Sequence, residues 1–265
     1  MIKPIVLSIA GSDPSSGAGI QADLRMFSAQ NVFGTTVITA LTAQNPNEVT
    51  GVHGMSPTFV QLQLDSIFKL PVKAIKTGML WSSDIVDIVA DTLKKNPDIP
   101  SVVDPVMIST SGSQLISDEA IERYKNLIQY CTLLTPNLDE ASVLLEKKIN
   151  EENLSKAAQE LYHKFGCAIL LKGGHKSGNP EDILFDGAHL YHWKQTRIQD
   201  INTHGTGCML SASIAAHLAR GIGLYHAVDR GLRSVQKALR SPIILTTSIS
   251  LAGIEDCSEE PLPKY

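Results

Sequence analysis

Gly205-Thr206-Gly207-Cys208 stands directly before Leu210, Ile214 and Leu218, an apolar spacing that marks one face of a helix running toward Gly221. The first turn of a helix carries unpaired N–H groups and a partial positive charge. Glycines there let the backbone close around a ligand, and the natural ligand is an anion. A tight turn capped by Thr206 accounts for the same residues. Phosphoryl transfer, the chemistry such an anion hole would serve, also needs a metal, its ligands, and cations on the phosphate oxygens. Asp104, ahead of Pro105, offers a carboxylate. Asn137 and Glu140 form N-x-x-E at a helix start, which puts both side chains on one face, one turn apart. Magnesium keeps most of its waters, so this pair would act on it largely through water. The same pair also reads as half of an N-terminal cap. Lys172 follows Leu170-Leu171 and calls for an anionic partner at the end of a buried strand. Asp13 and Asp23 flank a glycine-rich stretch, with a helix cap as the alternative role for Asp13. His175 and His204 are candidate ligands or partners, or structural histidines. No GxxxxGKS/T, GxGxxG after a strand, HExxH or GxSxG is present, so a phosphate site, if there is one, rests on Gly205–Cys208.

The elements that must position these residues alternate in type. Ile5–Ala10, Val37–Ala43, Ala74–Lys76, Ser101–Val103, Thr132–Leu134 and Ala168–Leu171 are short apolar runs, each followed by polar or glycine-rich residues. Between them, Ile20–Ala29, Pro57–Phe68, Ser83–Lys95, Ser117–Gln129, Leu138–Glu146 and Leu154–Phe165 have helical period. This alternation predicts an α/β fold, a mostly parallel sheet with helices on both faces, whose strands are apolar because both faces are covered. Ile183–Tyr191, around Asp186-Gly187, predicts a hairpin and a small antiparallel addition. Two closing helices are expected at about 207–220 and 224–240, then a loose polar tail from Asp256. No linker, repeat or low-complexity tract divides residues 1–265, so one domain is expected. Every polar cluster follows the C-terminal end of a strand, the edge at which open α/β sheets bind ligands.

Composition narrows the partners. Of 265 residues, 43% are hydrophobic and 19% charged, as in an ordinary globular protein. The net charge of −4 gives no electrostatic reason to expect nucleic acid or an anionic membrane. Cysteines 131, 167, 208 and 257 lack the spacing of zinc or redox motifs, which favours a reducing, cytoplasmic setting. The apolar run Ile5–Ala10 is too short for a membrane span and reads as a buried strand.

Seven motifs in order, GSDPSSGAGIQADL, VITALTAQN, KTGML, VVDPVM, LLTPNLDEA, LLKGGH and NTHGTGC, together resemble the hydroxymethylpyrimidine/phosphomethylpyrimidine kinases of thiamine biosynthesis, over about residues 4–240. The resemblance implies a ribokinase-like three-layer sandwich and the use of ATP and Mg2+. It implies phosphorylation of 4-amino-5-hydroxymethyl-2-methylpyrimidine, then of its monophosphate to the diphosphate. It places the anion hole at Gly205, Thr206, Gly207 and Cys208, and the phosphate groups at Asn137, Glu140, Lys172 and Thr206. It puts the metal side at Asp104 and Glu140, and the substrate side at Gln44, Asp23, Gly11, Met79 and Val106. Gln44 suits that task, since an amide presents a donor beside an acceptor and a 4-aminopyrimidine edge presents the complement. Family members are often homodimers.

The departures are informative. Cys208 stands where many ribokinase-like enzymes have an Asp base. A thiol at a helix N-terminus has its thiolate favoured, so Cys208 is either the base or a shaper of the anion hole. Ser16 replaces a usual glycine, and Met209 a usual threonine beside the anion hole. Two other functions remain open at this level: a pyridoxal or pyridoxine kinase, alone or as a second activity, and a catalytically silent pyrimidine- or nucleotide-binding protein.

Overall fold

The apolar runs become strands because both their faces are covered, and the covering follows chain order. The computed structural model describes residues 2–107, 118–173, 179–198, 203–246 and 250–254. Its elements are β1 (Ile5–Ser12), α1 (Gly19–Ala29), β2 (Phe33–Gln44), β3 (Val49–Gly54), α2 (Pro57–Ile67), β4 (Val72–Thr77), α3 (Ser83–Lys95), β5 (Ser101–Val103), α4 (Asp118–Ile128), β6 (Leu133–Leu134) and α5 (Leu138–Leu145). A 3-10 turn at Glu151–Asn153 leads into α6 (Leu154–Phe165). Then come β7 (Ala168–Leu171), β8 (Glu181–Phe185), β9 (Leu190–Lys194), α7 (Thr206–Ala219), α8 (Leu224–Arg240), β10 (Ile243–Ile244) and β11 (Ser250–Leu251).

Nine strands form one sheet in the order β3-β2-β1-β4-β5-β6-β7-β8-β9. The stretch from β2 to β7 is parallel. Adjacent residues of a strand serve opposite faces: Leu133 meets the helices of one layer and Leu134 those of the other. One layer holds α2 to α6; the other holds α1, α7 and α8. This is the expected three-layer α/β sandwich.

Antiparallel pairing is more extensive than expected. The β8–β9 hairpin is present, but four residues, 186–189, connect its strands, with Asp186 accepting from Ala188 and His189 N–H and Gly187 at φ +101°. β3 adds antiparallel to β2 at the opposite edge, and β10 pairs with β11 in a separate small sheet. The tail from Asp256 lies outside the described residues. Among those residues no helix is long and apolar enough to cross a membrane.

Chain order reverses at β1: it passes to β2 and β3 on one side, then to β4 on the other. That switch point opens a crevice between the loops after β1 and β4. Beneath it lies a buried ion pair. The Lys76 ammonium of β4 donates to both oxygens of Asp23 on α1, at 2.9 and 2.8 Å, and Ser8 of β1 donates to the same carboxylate at 2.5 Å. Both charges are fully buried. Burial opposes the charge on Lys76, but Asp23, aided by Cys208 and Asp104, holds the ammonium above its ordinary value.

Removing one member of such a pair leaves the other charge in the core without compensation. Lys76→Met is therefore expected to lower unfolding stability by about 3–5 kcal/mol, and the double variant Lys76→Met/Asp23→Leu to recover most of it. Urea unfolding of the three proteins checks this. A single variant within about 1 kcal/mol of the parent contradicts the pair's role.

Candidate active site

The loops at the C-terminal edge of the parallel strands surround one cavity of about 490 Å³. Gly11, Gln44, Met79, Asp104, Val106, Asn137, Glu140, Lys172, Gly205, Thr206, Gly207 and Cys208 all line it. Residues separated by nearly the whole chain meet there because each ends or follows a strand of one sheet.

One half of the cavity centres on the start of α7. Only part of its apolar stripe was legible: Met209 to His217 are all buried, because α7 is wedged between α1, α8 and the sheet. Gly205, not Thr206, is its N-cap, with a left-handed φ of +79° and no side-chain cap. The Thr206 hydroxyl and N–H both donate to the Thr203 carbonyl, at 2.9 and 3.2 Å. Met209 N–H returns to Gly205 O. The N–H groups of Gly207 and Cys208 take no backbone acceptor among the described residues, which leaves two aligned donors at the cavity. A side chain on Gly207 would begin 3.3 Å from Lys172 Nζ and 3.6 Å from Asp104 Oδ2. The helix start, the cation and the carboxylate thus share one small volume.

Asp104, 2% exposed, accepts from Lys172 at 3.0 Å, Thr135 at 3.3 Å and Ser211 at 3.3 Å. Asn137 and Glu140 form a complete capping box at the start of α5: Glu140 N–H donates to Asn137 Oδ1, and Asn137 N–H to Glu140 Oε2, both at 2.9 Å. Burial pushes the Glu140 carboxyl up to about 7, with Lys172 opposing and Asp104 adding. Burial opposes the charge of Lys172, but Asp104 and Glu140 hold it above its ordinary value. Among the described residues no three His, Cys, Asp or Glu side chains form a metal cage. Two carboxylates that crowd one lysine do fit a magnesium ion, which takes one or two carboxylates and otherwise water and phosphate oxygens.

The other half of the cavity lies over the switch point. A side chain on Gly11 would collide with Met79, so these two pack closely there. Gln44, at the end of β2, contacts Asp13, Thr42 and His204. Asp13 is no helix cap: it braces the loop after β1 by accepting from Ser15 N–H and O–H and from Ala18 N–H. Ser16 in that loop has φ +62°, the left-handed backbone that explains a glycine as the usual occupant.

Several expectations need correction. Asp23 does not line the cavity, because the Lys76 pairing holds it beneath the floor. Met209 is fully buried in the core and does not line the cavity. The Cys208 thiol is not favoured as a thiolate: burial pushes it up to about 11, and neither Lys76 nor the hydrogen bond from Gly19 N–H offsets this. His175 lies outside the described residues.

Other lining residues were not singled out in advance. Lys76 carried part of the signal that flagged Lys172, a lysine closing an apolar run, with a glycine two residues on. Asp182, whose carboxyl burial pushes up to about 6, binds Gly173 N–H at 3.1 Å. Leu232, Val235 and Leu239 of α8 form an apolar wall that amphipathic spacing alone could not aim.

The family model for phosphomethylpyrimidine kinase matches residues 13–250. Hydroxymethylpyrimidine/phosphomethylpyrimidine kinase of Rhizobium meliloti is 44% identical over 230 residues, covering 85% of this chain and 86% of that protein. Thiamine biosynthesis bifunctional protein ThiED of Geobacter sulfurreducens is 43% identical over 239 residues, covering 89% of this chain and 49% of that protein. The chain therefore spans about half the length of that relative. The structure of Staphylococcus aureus pyridoxal kinase in complex with AMP-PCP and pyridoxal is similar at a TM-score of 0.87 and 28% identity, covering 96% of this chain and 94% of that one. With a family match over most of its length and relatives above two-fifths identity, the chain belongs to the phosphomethylpyrimidine kinase family.

Proposed function

We propose that the chain, acting as one domain over residues 1–265, uses ATP and magnesium to phosphorylate 4-amino-5-hydroxymethyl-2-methylpyrimidine and then its monophosphate. One observation carries the reading: the open first turn of α7 faces Lys172 and Asp104 across a single side chain's width, in the cavity that Gln44 also lines. A protein that only held a pyrimidine would have no use for that arrangement.

In this reading Gln44 meets the ring edge, while Gly11, Met79 and Val106 shape its bed. Leu232, Val235 and Leu239 suit the flat apolar face of an adenine. Lys172 draws the phosphate oxygens toward the Gly207 and Cys208 N–H groups, where donors fixed in advance favour the charge of the transition state. Magnesium, when bound beside Asp104 and Glu140, would neutralise phosphate charge. A bond forms from the hydroxymethyl oxygen to the γ-phosphorus as the bond to ADP breaks, and the hydroxyl proton passes to a phosphate oxygen and on to water. The transition state of such transfers is loose, so little base strength is needed. Cys208, a thiol at neutral pH, then shapes the anion hole and is not the base. A homodimer and a cytoplasmic setting belong to the same proposal.

The likeness to a pyridoxal kinase structure favours one second reading, activity on pyridoxal. An ADP-release assay with the pyrimidine alcohol, its monophosphate and pyridoxal separates the two. The pyrimidines are expected to give the higher kcat/KM, and a pyridoxal-only enzyme reverses the assignment.

Gly207→Val places its branched side chain against Lys172 and Asp104, and turnover is expected to fall nearly to background with the circular dichroism spectrum retained. Cys208→Ala is expected to cost about tenfold or less and to leave the pH–rate profile unchanged. A base at that position would instead cost about 10²–10⁴-fold, with loss of the limb that rises toward alkaline pH.

Glu140→Gln keeps an acceptor for Asn137 N–H, so the capping box survives while the charge is removed. Its melting temperature is expected to hold, while the magnesium needed for half-maximal rate rises by about 10–100-fold. An unchanged magnesium titration reduces Glu140 to the cap.

A further inference from the structure

An amide that turns over exchanges its donor for its acceptor, so Gln44 reads a ring only if something sets which way it faces. Gln44 Nε2 lies 3.1 Å from His204 Nε2 and 3.4 Å from Asp13 Oδ2, and these two atoms are 3.5 Å apart. The triangle is nearly equilateral. The bond that His204 gives Asp13 puts the ring proton on Nε2, so of these two neighbours only Asp13 accepts from the Gln44 N–H. With one N–H turned to Asp13, the amide keeps its other N–H and Oε1 for a ring edge.

Asp13 decides the sense. Burial works against its ionisation, yet the bonds from His204, Ser15 and Ala18 together hold the carboxyl below its ordinary value. An ionised carboxylate only accepts. A reversed Gln44 would press its carbonyl oxygen against that carboxylate with no proton between them. Thr42, on the other side, cannot choose, because its hydroxyl reaches Oε1 at 3.2 Å but also donates to Ser12 O at 2.9 Å. His204 is held in place by the backbone. A side chain on Gly17 would begin 3.0 Å from its ring, and the position for one on Gly205 is filled by the carbonyl of Gly17.

We propose that Asp13 and His204 are specificity-determining positioning residues, which lock the Gln44 amide in one sense so that an aminopyrimidine edge is accepted and the reversed edge of a 4-oxo analogue is refused. The inference rests on the reading of Gln44 as the group that meets the ring. An amine beside a ring nitrogen needs the amide oxygen and N–H in that order. An oxo group beside a ring N–H needs the opposite order. A freed amide would serve both.

The test is the ratio of kcat/KM for 4-amino-5-hydroxymethyl-2-methylpyrimidine to that for its 4-oxo analogue, in the parent, Asp13→Asn and His204→Leu. An asparagine at 13 donates as well as accepts and no longer dictates the sense of Gln44. The ratio is expected to fall about tenfold or more in Asp13→Asn and about threefold in His204→Leu, mainly through KM. A purely structural role lowers both activities together and leaves the ratio alone. His204→Leu keeps the Asp13 bonds to Ser15 and Ala18, so it decides the matter if Asp13→Asn does not fold. A parent that discriminates while the folded variants keep its ratio overturns the inference alone. A parent that phosphorylates neither ring, or both equally, overturns the reading of Gln44 and the inference with it.

Discussion

One carboxylate ties together the half of the cavity that opens on α7. Asp104 follows β5, and its two oxygens accept from Thr135 after β6, Lys172 after β7 and Ser211 inside α7. A charge buried to this degree persists only if its lone pairs are met, so these partners cannot drift independently. The open turn of α7, the cation and the α5 capping box are thereby held in mutual register. A contact of pure exclusion does the same at the front, where the Gly17 carbonyl occupies the space of a Gly205 side chain and joins the first loop to the start of α7.

The charges of the cavity balance across its floor. Lys76 and Asp23 neutralise each other beneath the switch point, while among the described residues Lys172 is the cation paired with Asp104 and Glu140 above it. The lower pair is closed, and the upper group falls one positive charge short as the Glu140 carboxyl, raised to about 7, ionises. Such a shortfall favours incoming cationic charge at the carboxylates, while the N–H groups of α7 stand ready for anionic oxygens a few ångströms away. Separation of the two demands within one pocket is what phosphoryl transfer requires, and it arises from which strand ends carry which side chain.

Much of this was legible in the chain. Leu154–Phe165 and Ser83–Lys95 have the bounds their periodicity predicts, the latter because Ser82 caps Ile85 N–H and two lysines close the last turn. The strands before Asp104, Asn137 and Lys172 were equally plain, since fully covered strands are apolar throughout. β3 was not: Val49-Thr50-Gly51-Val52-His53-Gly54 is a half-exposed edge strand with two glycines, and its pairing comes from β2 rather than from its own residues. Spacing also could not show that Asp23 points into the core, because that depends on a lysine 53 residues away. The Cys208 thiol was misjudged for a related reason. A helix N-terminus stabilises a thiolate by a modest amount, and desolvation, invisible in the sequence, outweighs it.

That distant pairing bears on how the chain assembles. Asp23 belongs to α1 and Lys76 to β4, with Ser8 of β1 completing the group. If α1 docks alone, a carboxylate leaves water with no counter-charge, and β4 inserted alone strands an ammonium in the same way. Partly docked states are therefore penalised, and the lowest route has all three elements close together. A loop of some fifty residues must be closed before that gain is realised, so this part of the core closes in a non-local step and not within any single helix.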